Sequence, residues 1–247
     1  PDGDTGTNMN LSMTSGVNEM KKEPEASLQE QLNHFTRGLL MGARGNSGVI
    51  LSQLFRGFSS IKLENDLLEI NTFTDALNKG VEIAYQSVTN PVEGTILTVA
   101  KDMAKKATEI MDEVEDFISY MEKVVAEGKA SLERTPDLLP VLKEVGVVDS
   151  GGKGFLTIYE GFLAFLKGEE IASLDELSFE ALVEDEHEEV IQSIESVDEI
   201  EYGYCTEFFV QLEDEKENFD EEEFRTLLAE HGDSLLVASD GNLVKVH

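Results

Sequence analysis

Asp2 and Asp4 stand one residue apart in Pro1-Asp2-Gly3-Asp4-Thr5-Gly6-Thr7-Asn8-Met9, and Gly3 and Gly6 bracket the second carboxylate. Two hard carboxylates this close, on a loop able to bend, suit Mg²⁺, which takes a few carboxylate oxygens and fills its other positions with water and phosphate oxygens. The chemistry expected is that of a metal-bound nucleotide. A calcium loop competes but fails on spacing. Counted from Asp2, its fifth, sixth and twelfth positions are Gly6, Thr7 and Met13, where an EF-hand needs an oxygen ligand, Gly and Glu. An ordinary Asx turn is the remaining alternative.

Two further segments could hold phosphate. Gly42-Ala43-Arg44-Gly45-Asn46-Ser47-Gly48 precedes the apolar run Val49 to Phe55 and reads as a glycine-rich turn feeding a helix. Free N–H groups at a helix start attract anions, and Asn46 or Ser47 suits the N-cap. The alternative is a tight connection between two packed helices. Val147-Val148-Asp149-Ser150-Gly151-Gly152-Lys153-Gly154 stands just before a helical run from Phe155 to Leu166. It is not a P-loop, because Gly146 and Gly151 are followed by Gly152, and Lys153 by Gly154. A nucleotide site built from these parts needs a different architecture.

Asp-Gly-Asp-x-Gly-x-Asn-Met, Gly-Ala-Arg-Gly-Asn-Ser-Gly and Val-Val-Asp-Ser-Gly-Gly, in this order, resemble the nucleotide-binding (DhaL-type) domain of the dihydroxyacetone kinase family. The closer resemblance is to the branch containing the ATP-binding subunit of bacterial fatty acid kinase, over roughly residues 1–167. It implies an antiparallel barrel of amphipathic helices with ATP and two Mg²⁺ ions held by the loops at one end. Asp2 and Asp4 would then be metal ligands and the catalytic positions. Thr7, Asn8, Asn46, Ser47 and Gly48 would contact the cofactor's phosphates, Thr5 and Met9 would also belong to the cofactor-binding set, and Asp149, Ser150 and Gly151 would lie near its sugar and base. The dihydroxyacetone branch usually has His where Thr5 stands, which favours the fatty acid branch. The family also carries a metal-proximal Asp or Asn a few residues ahead of the triplet, and this chain opens inside the motif without an initiator Met, so a fragment of a longer protein is expected.

Composition narrows the class. A formal charge of −32 on 247 residues disfavours nucleic acid, which needs clustered Lys and Arg. No run of about 18 apolar residues suggests a membrane span. A lone Cys205 gives no disulfide framework, and cytoplasm is the expected compartment. Residues that are 40% hydrophobic can supply a core.

Periodicity predicts helices through the first two-thirds. Phe73, Leu77, Val81, Ala84 and Val88 form one stripe, capped by Asn71 or Thr72 and closed by Asn90-Pro91. Ile96 to Met111 form the next, Met121 to Leu132 another ending before Thr135-Pro136, and Leu138 to Val145 a short one. These stripes read as the inner face of a bundle, with a lipid-binding strip as the alternative. Residues 168–200 hold no Lys or Arg and contain the acidic run Glu184 to Glu189, expected as a solvated linker or helix face, or as a dock for a basic partner. Residues 201–247 predict the β-α-β-β opening of a smaller α/β domain. Its strands are expected over Tyr202 to Leu212, Ser234 to Ser239 and Leu243 to His247, and its helix from Asp220 to His231. With the last strand at the end of the chain, that domain's core is expected to be incomplete. The segment resembles the start of the middle domain found in the fatty acid kinase branch.

Cys205 and His247 could share Zn²⁺, or be ordinary core residues. Family members tend to carry a second His two positions beyond the one matching His247. His34, His187 and His231 read as surface or packing residues.

Phosphoryl transfer needs positioning and charge neutralisation above all. A fatty acid carboxylate is already ionised near neutral pH, so a site without an obvious base suits acyl phosphate formation. The resemblance implies a fatty-acid-carrier protein as partner and a product that feeds phospholipid metabolism, and a homodimer is left open as the assembly. The alternatives carried forward are a dihydroxyacetone or small-polyol kinase and a non-catalytic nucleotide-binding scaffold.

Overall fold

Capping groups at the starts of helices set the register of the computed structural model, which describes residues 3–169, 204–212, 219–232 and 234–247. Among the described residues, the first two-thirds of the chain form α1 (Thr5–Met20), α2 (Leu28–Gly42), α3 (Gly45–Ser59), α4 (Ile70–Ser87), α5 (Ile96–Ile110), α6 (Phe117–Leu138), α7 (Pro140–Val145) and α8 (Ser150–Leu166). A capping box of Ser27 and Glu30 opens α2, Asp116 accepts from the Ser119 N–H at 2.8 Å to open α6, and Asp149 accepts from the Gly152 N–H at 2.6 Å to open α8. Successive helices from α1 to α7 pack on one another, and α8 lies against α5, α6 and α1, which closes the ring into the expected helical barrel.

The barrel is filled from every helix long enough to present an apolar face. Leu39, Leu51, Leu97, Met103, Tyr120, Met121 and Leu156 are fully buried. Phe35, Phe55, Phe58, Phe73 and Tyr120 meet in a chain of mostly edge-to-face rings, with centroids 5.2–6.3 Å apart. Tyr120 shares a 2.7 Å hydrogen bond with the Thr74 hydroxyl, and burial pushes its phenol up to about 12. Helices α3 and α4 meet backbone to backbone, since a Cβ on Gly80 would sit 2.5 Å from the Leu54 carbonyl oxygen.

Several boundaries differ from those expected, each for a local reason. Helix α4 starts at Ile70 with Glu69 at the N-cap, ahead of Asn71 and Thr72. Helix α6 runs through Pro136 to Leu138 instead of stopping before Thr135, because the Thr135 hydroxyl donates at 2.7 Å to the Leu132 carbonyl that proline leaves without an N–H partner. That leaves only Pro140–Val145 for α7, which ends on left-handed Gly146. Helix α3 starts at Gly45 with Arg44 at the cap, not Asn46 or Ser47. Helix α8 starts at Ser150 rather than Phe155. Its glycines serve close packing, since a Cβ on Gly152 would lie 2.8 Å from Val99 and one on Gly154 2.5 Å from the Met9 sulfur.

The C-terminal part has the expected order: β1 (Phe208–Gln211), α9 (Glu221–Leu228), β2 (Val237–Asp240) and β3 (Leu243–Val246). The sheet is antiparallel with order β1-β3-β2, pairing Phe208 with Val246 and Val237 with Val246. Its elements are shorter than predicted. Residues 204–207 are not strand, Leu236 instead forms an isolated bridge to Val88, and α9 stops at Leu228. The acidic stretch expected as a linker lies, from residue 170 to 200, outside the described residues. None of the helices among the described residues is long and apolar enough to cross a membrane.

Candidate nucleotide site

The N-terminal ends of α1, α3, α5 and α8 converge on a cavity of about 920 Å³, and the end of β3 closes one side of it. Helix N-termini bring partial positive charge and unbonded N–H groups to one place, the arrangement that anions seek. Asp4, Thr5 and Asn8 line the cavity from α1, Asn46 and Ser47 from α3, and Asp149, Ser150 and Gly151 from the start of α8. All three sequence motifs therefore meet, although α1 begins at Thr5 and only the residues before it are loop. Asp4 is the N-cap residue of α1, and one of its carboxylate oxygens accepts from the Asn8 amide at 2.7 Å. Asp2 lies outside the described residues.

Three other expected residues stand elsewhere. Met9 is buried and packs into the core against Gly154. The Gly48 N–H is bonded to the Arg44 carbonyl at 3.1 Å, and a Cβ there would meet the Ser12 hydroxyl, so this glycine lets α3 approach α1. Thr7, between Thr5 and Asn8 on α1, is not among the residues that line the cavity.

Among the described residues, neither Lys nor Arg lines the cavity, whereas two carboxylates do, Asp4 and Asp149. Burial raises the Asp149 carboxyl, and the Gly152 and Ile96 backbone N–H groups hold it back. A polyanion placed here needs cations brought with it. The hard oxygens of Asp4, Thr5 and Asn8 fit Mg²⁺ rather than a softer ion. No group of three or more His, Cys, Asp or Glu that could hold a metal ion is formed among the described residues.

Cys205 and His247 do meet, with the sulfur 2.9 Å from His247 Nε2, and both line the same cavity instead of a separate site. Glu207 Oε1 lies 3.5 Å from the same nitrogen. Burial lowers the imidazole, opposed by Glu207, while Lys245 lowers it further and Asp4 raises it. His247 Nδ1 is buried and has no hydrogen-bond partner among the described residues. His34 is within 3.5 Å of Glu23 on the surface.

Sequence reasoning missed the connection from α4 to α5. Val92, Thr95, Ile96 and Leu97 line the cavity's apolar side, and Glu93 braces the loop behind them. Its carboxylate accepts from Thr98 at 2.6 Å, from Lys101 at 2.6 Å and from the Tyr85 hydroxyl at 3.1 Å, and the Lys101 bond does most to hold it below the usual carboxylate range. Gly94, left-handed at φ 83°, and the capping Thr95 were the legible signals of a built loop. Glu207 and Lys245 were also missed, since neither belongs to a motif.

A helical barrel whose helix starts gather Asp, Asn and Ser around one cavity defines a nucleotide-binding domain of the DhaL type. The chain belongs to this family: residues 1–164 match the model of the DAK2 domain, and residues 201–247 match that of the FakA-like middle domain of fatty acid kinase. Among similar proteins, Protein YloV of Bacillus subtilis is 55% identical over 251 residues, covering all of this chain and 45% of YloV. An uncharacterized protein of Staphylococcus epidermidis is 52% identical over 248 residues and one of Staphylococcus aureus 53% over 251, again with 45% of each relative covered. The chain thus spans less than half the length of the curated relatives it matches.

Proposed function

We propose that the chain is the ATP- and Mg²⁺-dependent part of a kinase that phosphorylates a fatty acid carboxylate presented by a carrier protein, giving an acyl phosphate. The observation that carries the nucleotide half of this reading is the cavity itself, with four helix N-termini, two carboxylates and no lysine or arginine among its described lining residues. Mg²⁺ ions held by Asp4, together with Asp2, would neutralise the phosphates. Asn46 and Ser47, in the first turn of α3, would seat the phosphate chain, and the apolar side formed by Ile96 and Leu97 would take the base. Asn8 keeps the Asp4 carboxylate oriented through their 2.7 Å hydrogen bond. The match of residues 201–247 to the FakA-like middle domain of fatty acid kinase supports a fatty acid as acceptor.

The test is phosphate transfer by the whole gene product from MgATP to a fatty acid on its carrier, with hydroxylamine trapping the acyl phosphate and dihydroxyacetone as a parallel acceptor. Trapped acyl hydroxamate that depends on Asp4 supports the reading. Transfer to dihydroxyacetone alone would make it a polyol kinase, and nucleotide binding with transfer to neither a scaffold.

A further inference from the structure

Lys245, in the middle of β3, is 1% exposed although it carries an ammonium group. It sits opposite Phe209 on β1 and Ala238 on β2, with the Phe209 ring 4.8 Å from its nitrogen. The ammonium donates to the Ala43 carbonyl and lies 3.6 Å from Glu207 Oε2. The other Glu207 oxygen accepts from the Gly45 N–H at 2.9 Å. Ala43 and Gly45 are the two ends of the turn that delivers Asn46 and Ser47 to the cavity, and Gly45 is left-handed at φ 57°. Two backbone groups of this turn, the Ala43 carbonyl and the Gly45 N–H, are thus held from the second domain, by a pair of side chains that do not themselves line the cavity.

We infer that Lys245 and Glu207 are positioning residues that hold the Ala43–Gly45 turn in the shape that receives the phosphates, so that the phosphate half of the site is formed only when the small sheet is seated on the barrel. The inference rests on the nucleotide reading above. A small apolar sheet gains little from a buried lysine, because removing an ammonium from water is costly and an apolar side chain of similar length often serves stability as well or better. Burial lowers the Lys245 pKa, with Glu207 opposing, as expected of a desolvated ammonium. A lysine at this point of contact is accounted for by what it holds.

The experiment is calorimetric titration of wild type, Lys245→Met and Glu207→Gln with MgADP and, separately, with adenosine, alongside thermal unfolding. Both variants are expected to bind MgADP at least tenfold more weakly, with adenosine within about twofold of wild type and the unfolding temperature of Lys245→Met unchanged or higher. Equal weakening of MgADP and adenosine would overturn the inference, because it would show general unseating of the sheet. So would wild-type MgADP affinity in a folded variant. Glu207→Gln, which keeps the side-chain volume, decides the matter if Lys245→Met does not fold. Absence of MgADP binding in wild type would instead remove the nucleotide reading and this inference with it.

Discussion

The barrel and the small sheet solve the problem of holding functional groups still in opposite ways. In the barrel, Asp4, Asn8, Asn46, Ser47 and Asp149 stand at or near helix starts, and the helices are fixed by one continuous core that runs from Met9 to Tyr159. In the C-terminal part, Cys205 and Glu207 just ahead of β1, and Lys245 and His247 on and just after β3, depend on a sheet whose own core, among the described residues, is three buried valines, Val237, Val244 and Val246, with partly buried neighbours. Three short strands do not hold together in water without something to pack against. Leu236 and Ala238 supply that by burying against Leu40, Ala43 and Val49 of the barrel. The lesson is that one wall of the cavity is intrinsic to the barrel, while the other is only as well ordered as a docking contact.

The largest expected effect lies in the barrel core. Met103→Ala, at a fully buried position, should cost about 2–5 kcal/mol and lower the denaturant midpoint of the whole chain. Leu236→Ala should cost about 2 kcal/mol, the low end for such truncations, and act locally. Hydrogen exchange should then speed up in β2 and β3 but not in α5 or α6, whereas uniform acceleration would show that the two regions unfold as one unit. Tyr120→Phe should cost about 1 kcal/mol through loss of its bond to Thr74, which retains the Ile70 carbonyl as partner. Equilibrium unfolding would read that cost.

The smallest effect belongs to the sheet and depends on pH. Burial lowers the folded-state pKa of His247 below its ordinary 6.5, so in the window beneath about 6.5 the unfolded chain binds more protons than the folded one. The stability from keeping this imidazole neutral is fully present above 6.5 and is lost as pH falls through the folded value. Thermal unfolding followed from pH 7.5 down to 5.5 should therefore weaken more steeply, by comparison, in wild type than in His247→Gln. Parallel slopes would show that the histidine is not buried as described.

What was legible in the sequence follows the same division. The three motifs announced the cavity because Asp, Asn, Ser and Gly are unusual neighbours of apolar runs, and apolar spacing gave the helices. Helix starts were placed too late at α3 and α8, because glycines read as loop when they serve close packing, as Gly152 does against Val99. The Thr135 hydroxyl that carries α6 past Pro136 left no trace in the apolar spacing. Glu207 and Lys245 were beyond reach, since their contacts with Gly45 and Ala43 span 162 and 202 residues of sequence. A lone lysine on a strand carries no sign of what it will meet.

The cavity is proposed to hold a nucleotide through metal bound at Asp4 and Asp2, just ahead of α1. Titration of the chain with ADP, with and without Mg²⁺, in wild type and Asp4→Asn, tests it directly. Mg²⁺-dependent binding is expected, lost in the variant while its helical circular-dichroism signal stays intact. Binding that is indifferent to Mg²⁺, or equally strong in folded Asp4→Asn, would contradict it.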